Sequence, residues 1–206
     1  DQPRSRGLGD VYKRQVGSRS GMGGTGAGTY CPSFSGGGAV YHDLGNVNLT
    51  FIETAPRLPE FVTYLQRTLD FLNSIGLMAK GGERLGIYLN GLKISGSAQC
   101  VHKNRVLYHC TLLYDTDLTA LHKALNPEPM VDDETLSSVY AVPSVRSEVT
   151  NIRSYLPEGT VTDFKEKAFQ YFSKSQSVSA FTGKEIEAVN QLREGKYIQK
   201  EWIYSR

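Results

Sequence analysis

The sequence predicts an α+β domain, a mixed and largely antiparallel sheet packed with helices. Three observations predict it. Strand-like runs dominate residues 38–114, and the dipeptide Asn90-Gly91 joins two of them, the strongest short-range signal for an antiparallel hairpin. Helical stretches are interleaved with these strands rather than alternating with them one for one. Those helices carry apolar residues at three- and four-residue spacing, the period of a helix with one buried face.

In chain order, residues 38–41 and 47–52 read as strands, the second alternating in Val47, Leu49 and Phe51. Pro59 is expected at the first helical position, where its missing N–H costs nothing. Phe61, Leu65, Leu69 and Leu72 then share one face, and Gly76 is placed as the stop. Residues 86–89 and 93–99 form the hairpin, and residues 106–114 a further strand. Residues 117–125 read as a short helix with Leu118, Leu121 and Leu125 inward. Residues 127–143 are loop-like, with three prolines. Residues 164–172 and 186–192 are amphipathic helices. The second is introduced by the capping box Thr182-x-x-Glu185 and is expected to end at Gly195.

With 206 residues, 39% of them hydrophobic, the chain suffices for one packed core. No stretch approaches the ~18 apolar residues of a membrane span, and no apolar segment of a secretory signal is visible. Three cysteines, Cys31, Cys100 and Cys110, are an odd number, which suggests free thiols in a reducing cytoplasm. The formal charge of +2 is unevenly placed. Residues 1–34 hold Arg4, Arg6, Lys13, Arg14 and Arg19 against Asp1 and Asp10, leaving 18 basic and 19 acidic residues elsewhere. A near-neutral body has no electrostatic footprint for nucleic acid.

Residues 1–34 are rich in Gly, Ser and Arg and show no apolar period. Asp10-Val11-Tyr12-Lys13-Arg14-Gln15 looks like the translation of a transposase adaptor end used in DNA library preparation (GAT GTG TAT AAG AGA CAG). Residues 1–15 are therefore expected to be adaptor-derived, and residues 16–34 out of frame or disordered. Tyr30-Cys31-Pro32-Ser33-Phe34 can be encoded by codons that, read one base later, permit Ile-Val-Arg-Arg. A one-base slip near Phe34 would restore the frame at Ser35.

Four constellations can carry chemistry. The first is Ser35-Gly36-Gly37-Gly38-Ala39-Val40-Tyr41-His42-Asp43-Leu44-Gly45-Asn46-Val47-Asn48. Glycine lets backbone lie against a ligand, and successive N–H groups there can cradle an anion. It is neither a phosphate-loop motif nor a dinucleotide fingerprint, and alone it equally suits a tight turn. The second is Asn90-Gly91-Leu92-Lys93-Ile94-Ser95-Gly96-Ser97-Ala98-Gln99, a cation beside small side chains that leave space; a lone strand lysine is more commonly just exposed. The third is His109-Cys110-Thr111-Leu112-Leu113-Tyr114. Joined to Cys100 and His102 it does not match zinc-ligand spacing, so the cysteines read better as small apolar residues. The fourth is Ser144-Val145-Arg146-Ser147-Glu148-Val149-Thr150-Asn151-Ile152, whose Arg146 and Glu148 also suit a surface ion pair.

Taken together and in this order, these segments resemble lipoate–protein ligases of the biotin/lipoate ligase superfamily, over residues 35–206. In that family the glycine run follows Arg-Arg-x-Ser and continues Ala-Val-Tyr-His-Asp-x-Gly-Asn. The lysine segment reads Lys-Ile-Ser-Gly-Asn/Ser-Ala, and the third segment His-His-Gly-Thr-Leu-Leu. The resemblance implies the biotin/lipoate ligase (class II synthetase-like) fold and a two-step reaction. Lipoate's carboxylate attacks the α-phosphate of ATP, with Mg²⁺, giving lipoyl-AMP and pyrophosphate. A carrier lysine amine then displaces AMP and forms an amide.

The implied catalytic residue is Lys93, a cation where two anions meet. A preorganised donor at such a centre is worth roughly 3–4 kcal/mol. The resemblance implies that Gly36, Gly37, Gly38, Ala39, Val40 and Tyr41, with Lys93, contact ATP and lipoyl-AMP. It implies that Lys93, Ser95, Gly96 and His109 contact lipoate, and that His42, Asp43, Asn46, Asn48, Ser97 and Thr111 support them. No protein-only metal site is implied, Mg²⁺ arriving with ATP. The implied partners are lipoyl carrier domains of 2-oxoacid dehydrogenase complexes and the glycine cleavage carrier protein, with no nucleic acid and no membrane, in the cytoplasm.

The sequence departs from the family pattern where its arginines fall on Pro32 and Ser33, and where His-His-Gly becomes Tyr108-His109-Cys110. The family's first strands and helix, and its C-terminal accessory domain, have no counterpart, so this polypeptide is expected to be weak or inactive. Two rivals remain at this level. One is an acyltransferase working through a cysteine thioester, with Cys100 and Cys110 as candidates. The other is a non-catalytic pseudo-ligase that binds lipoyl carriers, which Ser33 would favour.

Overall fold

The computed structural model describes residues 13–17, 29–33, 40–54, 60–82, 84–125, 147–174 and 177–203. Strands β1 (Lys13–Gly17), β2 (Thr29–Ser33) and β3 (Val40–His42) form one sheet in the order β2-β1-β3, with β1 antiparallel to β2 and parallel to β3. β1 and β2 fall where the sequence predicts no element. Backbone pairing needs only extended chain, not the apolar alternation by which strands are found in sequence.

A second, wholly antiparallel sheet holds the core. It comprises β4 (Asn46–Thr54), β5 (Lys80–Gly81), β6 (Ile87–Leu89), β7 (Leu92–His102) and β8 (Arg105–Leu113), in the order β4-β8-β7-β6-β5. Asn90 and Gly91 take positive φ (48° and 83°), which gives the β6–β7 turn its matching twist, as their sequence predicts. The β7–β8 turn is equally tight, with Lys103 at φ 55°.

α1 (Phe61–Ser74) crosses one face of this sheet. Its N-cap is Glu60, in extended conformation, so Pro59 precedes the helix rather than opening it and itself lies outside the described residues. The stop is as expected. Gly76, at φ 92°, donates its N–H to Asn73 O, and Leu77 N–H reaches Leu72 O. That is a Schellman motif, and Leu72 and Leu77 are both buried in the same cluster.

α2 (Leu118–Leu125) and α3 (Val161–Ser173) complete the packing. Leu65, Leu69, Phe71 and Leu72 of α1 join Phe164 and Ala168 of α3 over Val47, Ile87, Ile94 and Leu112 of the sheet. Phe71 is central, with ring centroids 5.5 Å from those of Phe164, Tyr171 and Phe172. Successive strand residues face opposite ways. Leu112 therefore meets α1 and α3, while Leu113 meets Tyr41 and Leu121 of α2 on the other face.

α4 (Gly183–Leu192) starts at the predicted capping box, with Thr182 and Glu185 bonded reciprocally. Its apolar Ile186, Val189 and Leu192 are exposed. Gly195 does not end the helix. The chain passes through it in a π-helical turn (Arg193–Tyr197) and on to the short α5 (Lys200–Ile203). Glycine lowers helix stability without forbidding helical dihedrals. Among the described residues no helix is long and apolar enough to cross a membrane.

Candidate active site

The end of the first constellation, Asn46 to Asn48, lies side by side with the second and third, because β4, β8 and β7 are neighbours in one sheet. Their register sets Asn48 opposite Thr111 and Thr111 opposite Gly96, and one step further sets Thr50, His109 and Ala98 in a row. Thr111 Oγ1 donates to Asn48 Oδ1 at 2.8 Å. Cys110 and Tyr108 turn the other way. Cys110 Sγ lies 3.9 Å from Thr68 Oγ1 of α1, and Tyr108 stacks on Tyr64 at 5.3 Å. Asn48, Gly96, His109 and Thr111 therefore share the face opposite α1.

Strict alternation would put Lys93 on the wrong face, three residues from Gly96. A β-bulge corrects this. Tyr88 pairs with Lys93 but Ile87 with Ser95, so Ile94 is an extra residue. Ile94 and Ser95 both turn into the core, 0% and 2% exposed, and Lys93 comes round to the face of Gly96. Bulges re-aim side chains in this way.

Lys93 is half-buried. Its N–H donates to Glu148 O at 2.8 Å, and its carbonyl accepts from Thr150 N–H at 3.0 Å, a parallel bridge about Val149. Residues 148–150 of the fourth constellation are thus laid along the lysine, while residues 144–146, Arg146 among them, lie outside the described residues. A Cβ on Gly86 would stand 3.3 Å from Lys93 Cε, so the glycine makes room for the side chain. Burial lowers the lysine's proton affinity, and the nearby Arg84 guanidinium lowers it further.

The turn after the glycine run is tied to the chain after β8. Asp43 Oδ1 accepts from Gly45 N–H and Oδ2 from Asp117 N–H, both at 2.8 Å. Asn46 Oδ1 accepts from Asp43 N–H and from Thr116 Oγ1, and its Nδ2 donates to Tyr41 O. Asn151 closes the clamp, accepting from Thr116 N–H and donating to Thr116 O. Gly45 carries the closest approach. A Cβ there would lie 2.0 Å from Asp115 O.

Of the residues singled out in the sequence, Gly36, Gly37, Gly38 and Ala39 lie outside the described residues. Val40, Tyr41 and His42 form β3, with Tyr41 buried against Leu113 and Leu121. Ser95 and Ser97 do not share the face of Gly96. Ser95 is buried near Cys110, and Ser97 Oγ donates to Leu85 O at 3.2 Å. Sequence reasoning missed Arg84, Thr116 and the closeness of Gly45. Only Asp43-x-Gly45, a side-chain-stabilised turn, carries a local signal. A groove of about 860 Å³ along β4 and α3, lined by Leu49, Phe51, Phe169 and Phe172, takes only Asn48 from the predicted set.

Residues 30–173 match the family described as the lipoyl protein ligase A/B catalytic domain. The chain is 38% identical over 146 residues to a probable lipoate-protein ligase A of Mycoplasma pneumoniae, covering 69% of this chain and 42% of that protein. It spans about half the length of the curated relatives it matches. Two solved structures share the fold. One, from Thermoplasma acidophilum, is described as a bi-partite lipoate protein ligase and its E2 lipoyl domain (TM-score 0.62, 21% identity, 93% of this chain and 80% of that one). The other is lipoate-protein ligase A bound with ATP (TM-score 0.62, 22% identity, 81% and 68%).

Proposed function

Since the chain belongs to the lipoyl protein ligase A/B catalytic domain family, we propose that it activates lipoate with ATP and transfers the lipoyl group to a carrier lysine. The observation that carries this reading is the bulge at Ile94, which turns Lys93 to the open sheet face that Gly96, Thr111 and His109 share. The carboxylate of lipoate attacks the α-phosphorus of ATP, and the bond to the bridging oxygen breaks as pyrophosphate leaves. Both reactants are anions. A half-buried ammonium between them lowers their repulsion more than one in water would. The arriving charges in turn restore the proton affinity that burial takes from the lysine. In the second step the amine of a carrier lysine attacks the acyl carbon of lipoyl-AMP, loses a proton and expels AMP.

The Asp43–Asn46 clamp suits an orienting role, fixing the chain that leaves the glycine run. Both Asp43 oxygens already accept backbone N–H groups. Among the described residues no three His, Cys, Asp or Glu gather to hold a metal. Mg²⁺ in this proposal enters on the triphosphate and neutralises part of its charge. The carriers in the proposal are lipoyl domains of 2-oxoacid dehydrogenase complexes and the glycine cleavage carrier protein, met in the cytoplasm. The adaptor origin of residues 1–15 and the frame slip before Ser35 belong to the same proposal, and overlapping reads of the source DNA test them.

The thioester alternative loses one of its candidates. Cys110 is fully buried, and burial pushes its thiol up to about 11, the reverse of an activated nucleophile. The test is lipoate-dependent ATP–pyrophosphate exchange by the full-length protein in the corrected frame. Lys93→Ala should lower exchange by roughly 10²–10³-fold. Acyl transfer without ATP that dies with a cysteine substitution would overturn the reading. Carrier binding with no exchange would leave a pseudo-ligase.

A further inference from the structure

We propose that Arg84 is a second substrate-contacting cation of this site, binding the β- and γ-phosphates of the nucleotide and then the pyrophosphate they become. The inference rests on the ligase reading above and adds to it a residue that the sequence motifs do not include.

The backbone at residues 84–86 is held in an uncommon shape. Gly82 N–H donates to Gly86 O at 2.8 Å and Leu85 N–H to Gly82 O at 3.1 Å. Leu85 sits at φ 56°, a left-handed backbone that a leucine seldom adopts. Ser97 Oγ, from the neighbouring β7, donates to the Leu85 carbonyl and pins the turn there. Strain held in place by the surrounding structure points to a function for the segment.

What the turn achieves is a pair of cations. Gly86 lies against Lys93 Cε two residues after Arg84, and the charge of Arg84 disfavours that of the lysine. Arg84 forms none of the ion pairs found among the described residues, which join Glu53 to Arg67, Asp115 to Arg153 and Glu194 to Arg193. Two like charges side by side cost energy that an anion between them recovers. The guanidinium fork matches phosphate oxygens in pairs.

The positions divide the labour. Lys93 is half-buried and Arg84 exposed. The acyl chain needs the drier end, and the most highly charged group, which must leave to water, needs the wetter one. Arg84 therefore takes the phosphate tail, and Lys93 the junction of carboxylate and α-phosphate. Ser97 is a positioning residue that acts through Leu85.

The test is exchange kinetics on the full-length protein with Arg84→Ala, Arg84→Lys and Ser97→Ala. Arg84→Ala should raise the KM for ATP and for pyrophosphate about tenfold, with the KM for lipoate unchanged. Arg84→Lys should recover part of this. Loss of the like charge should also move the alkaline limb of the Arg84→Ala pH profile upward, because Lys93 then keeps its proton to higher pH. Ser97→Ala should raise the same two KM values by less. A rise in lipoate KM instead would overturn the proposal, as would unchanged KM values in a protein whose exchange Lys93→Ala abolishes. Exchange that survives Lys93→Ala would count against the ligase reading itself. Calorimetric titration with inorganic tripolyphosphate then decides on Arg84 alone: weaker binding by Arg84→Ala sustains the anion site, and equal binding removes it.

Discussion

Replacing Gly45 with alanine should unfasten the two chains that frame the open face. The new Cβ would lie 2.0 Å from Asp115 O, 2.3 Å from Asp115 C and 2.6 Å from Thr116 N, all backbone atoms with no rotamer to yield. Ordinary contact begins at 3.4 Å, so the segments must part by about 1.4 Å. That separation breaks the bonds from Tyr114 N–H and Asp115 N–H to Gly45 O, which are 3.1 and 3.0 Å long, and strains the Thr116–Asn46 bond at 3.0 Å. Each is worth about 1 kcal/mol, and a buried polar group left unpaired costs about 1–3 kcal/mol more. Asn46 and Thr116 are both buried. The sum is roughly 3–5 kcal/mol, a large part of the ~5–15 kcal/mol that holds a domain folded. Urea denaturation followed by circular dichroism reads it directly. With a slope of about 2 kcal/mol/M the midpoint should fall by about 2 M. A fall under about 0.3 M, with an unchanged slope, would refute the argument from close approach.

Two further predictions concern stability, beside those for Lys93 and Arg84. Burial raises the Cys110 thiol from 9.0 to about 11, so the native state keeps a proton that the unfolded chain releases. That contribution is fully present below pH 9 and is lost as pH rises towards 11. Denaturation midpoints should show roughly 1 kcal/mol lost between pH 9 and 10 in the parent protein. In Cys110→Ala most of that loss should disappear, leaving roughly 0.3 kcal/mol from Tyr108, raised from 10.0 to about 12 and so already titrating in the unfolded chain as pH nears 10; an equal loss in the variant would contradict the assignment. Thr160→Ala removes the cap of α3, where Thr160 Oγ1 accepts from Asp163 N–H and Asp163 Oδ2 accepts from Thr160 N–H. Equilibrium unfolding should show about 1 kcal/mol lost, since α3 brings Phe164 and Ala168 to the core.

Much of the fold was legible because its signals are local. The apolar face of α1, the Asn90-Gly91 turn, the Gly76 stop and the Thr182 cap each depend on residues within one or two turns of each other. The missed features are local too, but carried by weaker words. Thr160-x-x-Asp163 caps α3 with aspartate in place of the glutamate or glutamine of the usual box. Gly195 reads as a stop, yet glycine only lowers helix stability and the chain continues through it. β5, two residues long, has no period to detect.

Read alone, the sequence carries the order of most strands and helices from β3 onward, the turns between them and the family, and it singles out Lys93 as the candidate cation. It does so because periodicity, turn chemistry and motif spacing are written over short distances. The direction in which Lys93 points comes from strand pairing instead. A plain strand through Lys93-Ile94-Ser95-Gly96-Ser97 would aim the lysine with the two serines into the core. The face of a strand residue is settled by pairing with its neighbours, and one extra residue opposite Ile87 and Tyr88 reverses it. The same holds for Gly45 and Asp115, 70 positions apart, and for Arg84 beside Lys93. These are meetings between segments, and no single segment's sequence contains them.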